Sequence, residues 1–140
     1  MTHVLTDEQK QLQKLVRDFA INEVKPHVKE LDEKGEFPME LLKKAFDMGL
    51  HCLEIPEEYG GSGLDYKTTA VIFEELAKVD AGFAISLVTT FVALRSVIMA
   101  GNDAQKRLFA DIIIPGAFGA FCLTEPNAGS DAGAIRTTAV

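Results

Sequence analysis

An almost unbroken apolar run, FAISLVTTFVALRSVIMA at residues 83–100, constrains the fold more than any other part of the sequence. Its length approaches that of a membrane-spanning helix. Arg95 lies inside the run and four serine and threonine residues dilute it, which favours a helix buried in the middle of a bundle. We therefore predict a helical domain built around this segment, and no membrane span.

Shorter stretches with helical periodicity surround this run. Thr6 and Gln9 have the spacing of a capping box at the start of a first helix. Pro26 interrupts that helix or begins a short continuation that ends at Gly35. Apolar residues also recur at helical spacing in three further stretches, at 38–48, 66–78 and 104–113. Asp80-Ala81-Gly82 predicts a break in the chain before the apolar run. The pattern predicts five or six helices, with a loop at IPEEYGGSGLD between two of them.

The character of the sequence changes after Pro115-Gly116. The segment 117–123 is rich in aromatic and apolar residues, which predicts a strand. A polar loop with two glycines, TEPNAGSDAG, follows it, and residues 137–140 have the composition of another strand's beginning. The sequence thus predicts a helical domain over residues 1–115 and the beginning of a sheet over residues 116–140.

Charge and cysteine content exclude several classes of function. The formal net charge is −7 with no basic stripe, so a nucleic-acid-binding surface is not expected. Cys52 and Cys122 lie far apart in apolar stretches, and the three histidines are scattered. We therefore expect buried thiols, no disulfide and no metal site. The N-terminus has neither an apolar signal-peptide core nor a transit-peptide pattern, which predicts a cytoplasmic protein.

Residues 121–131, FCLTEPNAGSD, are the strongest candidate for a ligand-binding segment. The predicted strand ends there in a turn of small residues, whose amides and hydroxyls can approach a planar or phosphorylated ligand closely. A strand-connecting loop whose polar side chains bond to their own backbone fits the same residues. Glu74 and Glu75 are adjacent on a helix and diverge, so they predict solvated residues or a helix-end salt bridge rather than a catalytic pair.

The same eleven residues resemble the signature loop of the acyl-CoA dehydrogenase family. LTDEQKQLQKLVRDFA resembles the family's opening helix, IPEEYGGSGLD a loop that follows its second helical stretch, and EELAKVDAG and AGNDAQKRLF the segments on either side of its central buried helix. The resemblance implies an all-α N-terminal helical bundle followed by the first strands of a truncated β-barrel domain. It also implies FAD as cofactor, an acyl-CoA substrate, electron-transfer flavoprotein as electron acceptor, and a homo-oligomer.

The resemblance assigns the cofactor contacts to the signature loop. Phe121, Leu123 and Thr124 match positions that contact the flavin ring, where Thr124 would hydrogen-bond the pyrimidine side. Ser130 closes the same loop and matches a position that also contacts the acyl-CoA near its pantetheine or phosphate portion. Glu125 is expected to shape the loop.

The resemblance places the acyl chain along the central apolar helix. Ala84, Ile85 and Val88 fall where the family lines its fatty-acyl cavity, although plain core packing accounts for apolar residues there equally well. The family's reaction is α,β-dehydrogenation, in which a glutamate of the C-terminal bundle removes the α-proton and the flavin accepts a hydride. No catalytic residue is therefore expected within this sequence, and the isolated chain is predicted to be inactive.

Two other functions fit the same sequence. An acyl-CoA oxidase, or another oxygen-using flavoenzyme of the same fold, differs in how fast its reduced flavin reacts with oxygen. A stand-alone helical interaction module, in which the central helix packs against its own copy, would self-associate and contain no flavin.

Overall fold

The computed structural model describes residues 4–139, and within them the chain is helical. The six α-helices are α1 (Asp7–Phe19), α2 (Lys25–Lys34), α3 (Met39–Asp47), α4 (Tyr66–Ala77), α5 (Ala81–Ala100) and α6 (Asp103–Ile113). A π-helical turn at Ala20–Val24 joins α1 to α2, and 3₁₀ turns lie at Glu57–Tyr59 and Ala132–Ala134. The helical bundle predicted from the sequence is confirmed.

Local hydrogen bonds define where several helices begin. The capping box predicted at α1 forms, because the Thr6 hydroxyl accepts from the Gln9 amide and the Gln9 side chain accepts from the Thr6 amide, each at 3.1 Å. Pro26, which has no backbone N–H, lies in the first turn of α2. The π-helical turn leads into it, with the Lys25 amide donating to the Ala20 carbonyl.

The apolar run forms most of α5. The predicted break at Asp80-Ala81-Gly82 is instead the start of this helix, because the Asp80 carboxylate accepts from the Phe83 amide at 2.6 Å. At 20 residues and a mean hydropathy of 1.9, α5 is long and apolar enough to cross a membrane, but 39% of its most apolar window is buried inside the domain. Core helices of soluble proteins have the same properties.

The core consists of two apolar clusters, and α5 contributes to both. The larger cluster joins α1, α3, α4 and α5, with Leu42, Leu76 and Leu87 fully buried at its centre. The smaller cluster lies between the end of α5, α6 and the loop after α3, and contains Leu94 and Ile113. Because both clusters share α5, this helix is the element against which the rest of the domain is placed.

Glu75 of α4 is a buried carboxylate at the contact with α1. It is 3% exposed and accepts hydrogen bonds from Arg17 (2.9 and 3.0 Å), Gln13 (2.9 Å) and Lys78 (2.9 Å). The hydrogen bonds from Arg17, with a smaller contribution from Lys78, hold the pKa of Glu75 at about 2 despite its burial. The predicted helix-end salt bridge forms at Glu74, which pairs with Lys78. A solvated position is wrong for Glu75.

The strand predicted over residues 117–123 is not formed, so the first strand of a β-barrel is absent from residues 4–139. A strand needs a neighbouring backbone for its ladder of hydrogen bonds, and this segment instead packs on the helices through side chains. Residues 137–139 also lack strand structure, and Val140, the end of that prediction, lies outside the described residues. Cys122, expected to be buried, is exposed, whereas Cys52 is buried.

Candidate functional site

The segment after α6 is attached to the helical bundle at its beginning. Gly116 turns the chain with a φ of 113°, and its amide donates to the Ile113 carbonyl at 2.9 Å. The Phe118 ring then packs against Phe46 of α3, with ring centroids 4.9 Å apart, and against Phe37 at 6.1 Å. These aromatic contacts fix where the segment leaves the bundle.

A second attachment joins the segment to α5. The Gly119 amide donates to the Thr90 hydroxyl at 3.2 Å, and Thr90 is fully buried. A Cβ atom at residue 119 would lie 3.2 Å from the Ala93 side chain and 3.3 Å from the Thr90 backbone, so glycine permits this close approach. The segment therefore lies directly on α5 at this point.

The residues predicted to contact flavin follow this attachment and face outward. Phe121 and Leu123 are each 45% exposed, and Thr124 is exposed as well. Within the described part of the chain, the backbone amides and carbonyls of residues 120–124 make no hydrogen bonds. The segment thus presents apolar side chains next to free backbone donors and acceptors, which is the combination that a planar heteroaromatic ring requires.

The loop after Thr124 is shaped by its own backbone and by Glu125. The amide and carbonyl of Glu125 exchange 3.1 Å hydrogen bonds with those of Ala128, which closes a tight turn around Pro126 and Asn127. The Glu125 carboxylate accepts from the amides of Arg136 (2.9 Å) and Thr137 (3.0 Å), and these bonds lower its pKa.

Ser130, the remaining predicted cofactor and substrate contact, lies beyond this turn and is exposed. No side-chain hydrogen bond to its hydroxyl forms among residues 4–139. The same loop therefore presents both Thr124 and Ser130 to solvent, with their hydroxyls free to bind a ligand.

The three residues predicted to line an acyl cavity are not equally exposed on α5. Ala84 is 5% exposed and belongs to the larger core cluster, whereas Ile85 is 56% exposed and Val88 is half-buried. Successive helical residues are about 100° apart, so Ile85 turns outward where Ala84 turns inward, and Val88, one turn after Ala84, lies between them. Val88 also lines a cleft of about 190 Å³ between α4 and α5, together with Phe73 and Val92.

The outward face of α5 is held in place by an ion pair at its far end. Arg95 donates two 2.7 Å hydrogen bonds to the carboxylate of Glu54, whose side chain is 5% exposed. The Arg95 guanidinium also lies over the Tyr66 ring, 4.4 Å from its centroid. The arginine in the apolar run thus ties α5 to the loop after α3 and to the start of α4.

Sequence reasoning missed Thr90 and Gly119. The available signals were a hydroxyl in the most apolar stretch of the chain and a glycine inside a predicted strand, where it often marks a close backbone approach. Neither signal identifies the partner. Among residues 4–139 no three His, Cys, Asp or Glu side chains converge as metal ligands.

Known proteins share both the sequence and this geometry. An acyl-CoA dehydrogenase of Bacillus subtilis (strain 168) is 38% identical over 138 residues, which cover 97% of this chain and 36% of that protein. A solved structure described as the electron-transferring flavoprotein of Acidaminococcus fermentans matches with a TM-score of 0.88 and 36% identity, over 99% of this chain and 37% of that one. An acyl-CoA dehydrogenase from Bacillus anthracis complexed with FAD matches with a TM-score of 0.83 and 36% identity, over 94% of this chain and 23% of that one.

The fold is accordingly one that occurs in flavoproteins. Residues 6–116 match the family model described as "Acyl-CoA dehydrogenase, N-terminal domain". The chain belongs to the acyl-CoA dehydrogenase family, as its sequence resemblance implied. It spans about a third of the length of the curated relatives it matches.

Proposed function

We propose that this chain forms the helical wall of the acyl-binding site and one edge of the flavin site in an FAD-dependent acyl-CoA dehydrogenase. The reaction would be α,β-dehydrogenation of an acyl-CoA thioester. The observation that carries the proposal is the direct attachment of segment 117–124, with its open backbone, to the helix whose outward face bears Ile85 and Val88.

The residues of the segment fit a flavin. Phe121 and Leu123 offer exposed apolar surface for a ring edge, and the Thr124 hydroxyl and the free amides around it can bond the polar pyrimidine side. Bound flavin supplies the hydride acceptor, while the protein residues orient it and keep water away. Ser130 would bind the loop side of the cofactor and the acyl-CoA.

The outward face of α5 fits an alkyl chain. Ile85 and Val88 expose apolar surface, and covering it with acyl carbons stabilises the complex by about 0.8 kcal/mol for each buried CH₂. Ala84 is assigned to the core packing that supports this face rather than to substrate contact.

The base that removes the α-proton is proposed to come from outside these residues. Glu125 is the carboxylate closest in sequence to the predicted flavin contacts, and both of its oxygens already accept backbone hydrogen bonds. We therefore expect the 140-residue chain, supplied with FAD, to leave octanoyl-CoA unoxidised. Bleaching of flavin absorbance by the chain alone would contradict this assignment. Electron-transfer flavoprotein as acceptor and a homo-oligomeric assembly are parts of the same proposal.

The test uses the complete product of the gene that contains this sequence. The protein is purified with bound flavin and mixed anaerobically with butyryl-, octanoyl- and palmitoyl-CoA. We expect loss of flavin absorbance with at least one of them. Ile85→Asp places a charge on the acyl face and should weaken binding most for the longest chain that reacts. Ile112→Asp is the matched control, because Ile112 is also about half exposed, at 52%, but lies on α6.

Three outcomes would count against the proposal. A purified protein without flavin would favour the interaction module, and a flavin that no acyl-CoA reduces would exclude the dehydrogenase. Equal effects of the two aspartate substitutions would remove Ile85 from the acyl site. Admitting oxygen after reduction separates the oxidase, whose flavin would reoxidise quickly.

A further inference from the structure

The Thr90 hydroxyl makes a hydrogen bond outside its own helix. It is 0% exposed on the side of the helix that faces the bundle, where every other buried residue of α5 is apolar. The neighbouring Thr89 hydroxyl bonds within its own helix, to the Ser86 carbonyl at 3.0 Å. The Thr90 hydroxyl instead accepts from the Gly119 amide, 29 residues along the chain.

The hydrogen bond between Thr90 and Gly119 also depends on glycine at position 119. Gly119 approaches α5 so closely that its missing side chain would meet Ala93 at 3.2 Å and the Thr90 backbone at 3.3 Å. These distances are tighter than ordinary van der Waals contact, so a Cβ at residue 119 requires the segment or α5 to shift by a few tenths of an ångström. Phe121, the first predicted flavin contact, lies two residues after Gly119. A displacement of Gly119 therefore also displaces Phe121.

Thr90 therefore connects two surfaces through one helix. Val88 and Thr90 are two residues apart, which places them roughly 200° from each other around α5. The proposed acyl face lies on one side of the helix, and the attachment of the proposed flavin segment lies on the other. Because α5 is a single rigid helix clamped by Asp80 and Arg95, a shift of the segment relative to α5 is also a shift of the flavin edge relative to the acyl chain.

We propose that Thr90 and Gly119 are positioning residues that set the location of the flavin-binding segment relative to the acyl-binding face of α5. This inference rests on the proposed function. Catalysis depends on holding the reacting groups in a productive geometry, and a misplacement of about 1 Å can slow an enzyme about a hundredfold. The loss should therefore appear in kcat far more than in KM, because the acyl face itself is unchanged.

The first experiment compares three substitutions in the complete product of the gene that contains this sequence. Thr90→Val removes the hydroxyl and keeps the shape, Thr90→Ser restores it, and Thr68→Val removes a hydroxyl that accepts one hydrogen bond at another buried site. Thr68 is 7% exposed, lies on α4, and its hydroxyl accepts from the Gln9 side chain of α1 at 2.9 Å. Rapid-mixing flavin reduction by the reactive acyl-CoA gives the rate at saturation and the half-saturating concentration.

For Thr90→Val we expect the saturating rate to fall about ten- to a hundredfold, with a KM close to that of the unchanged protein. Thr90→Ser should restore most of the rate, and Thr68→Val should leave both constants unchanged. A Thr90→Val protein with an unchanged saturating rate would overturn the proposal. So would equal losses in Thr90→Val and Thr68→Val, which would indicate a general effect of altering buried threonines.

A second measurement reports on the attachment without relying on catalysis. Amide hydrogen exchange at Gly119 in the 140-residue chain should be about five- to tenfold faster in Thr90→Val, as expected for loss of one hydrogen bond to a neutral group. Gly119→Ala, which acts from the other side of the contact, should reproduce the kinetic loss of Thr90→Val. Unchanged exchange at Gly119 would show that the attachment does not hold the segment. If acyl-CoA never reduces the unchanged protein's flavin, the proposed function fails while the exchange experiment still reports on the contact.

Discussion

Replacing Glu75 by glutamine tests how the buried carboxylate between α1 and α4 contributes to the free energy of unfolding. The lowered pKa measures that contribution, because each pKa unit corresponds to about 1.4 kcal/mol. A change from 4.5 to about 2 gives about 3 kcal/mol at full value. Arg17 and Lys78 are about half exposed, at 47% and 51%, so solvent screens them. We therefore expect Glu75→Gln to cost about 1–2 kcal/mol.

Urea unfolding of the 140-residue chain at several pH values measures this effect and its sign. A carboxylate whose pKa is lowered on folding stabilises above its unfolded pKa of 4.5, and this stabilisation is lost as the pH falls toward about 2. The difference between the unchanged chain and Glu75→Gln should therefore be full at pH 6 and shrink below pH 4.5. Glu74→Gln is the control, because the Glu74 side chain is 62% exposed. Among residues 4–139 its ion pair is with Lys78, which also pairs with Glu75. A difference that does not change with pH would refute the reasoning.

Three further predictions concern stability. Gly61→Ala should destabilise the chain by about 1–3 kcal/mol in urea unfolding, because its Cβ would clash with the Ile55 carbonyl, whereas Gly129→Ala, with no atom within 4 Å of its Cβ, should change stability little. His51 has its pKa lowered by burial, so stability should fall as the pH drops below 6.5, and His51→Phe should reduce that fall between pH 7.5 and 5.5. Asp80→Ala removes the N-cap of α5 and should lower the free energy of unfolding by about 1 kcal/mol, seen as a lower urea midpoint.

Predictions that depended on neighbouring residues were the most accurate. The capping box of Thr6 and Gln9 involves residues three apart, so its spacing could be recognised directly. Asp80 was misinterpreted for a related reason. The Asp-Ala-Gly sequence predicts a break, but the same aspartate that ends one stretch caps the helix that follows it.

Predictions that depended on distant residues were less accurate. An apolar run gives no indication of which side faces solvent, so Ala84 and Ile85 could not be assigned to opposite environments before α4 and α6 were placed beside them. The segment around Gly119 has the composition of a strand, but its backbone amide is taken by a side chain of α5. The burial of Glu75 was not predicted, because its partner Arg17 lies 58 residues away in the chain.

The buried carboxylate also bears on which packings the helices can adopt. Apolar faces are tolerant of sliding, since one leucine fills much the same space as the next. Moving α1 along α4 by one helical turn, about 5.4 Å, would take at least one of Arg17 and Gln13 out of reach of Glu75, and in one direction would leave Lys78 of its own helix as the only cation paired with it. Each hydrogen bond lost to the buried carboxylate costs about 1.5–3 kcal/mol. The hydrogen bonds to Glu75 thus favour a single register of α1 among those that the apolar residues alone would accept. That register also decides where the apolar side chains of α1 lie in the core that they share with α5.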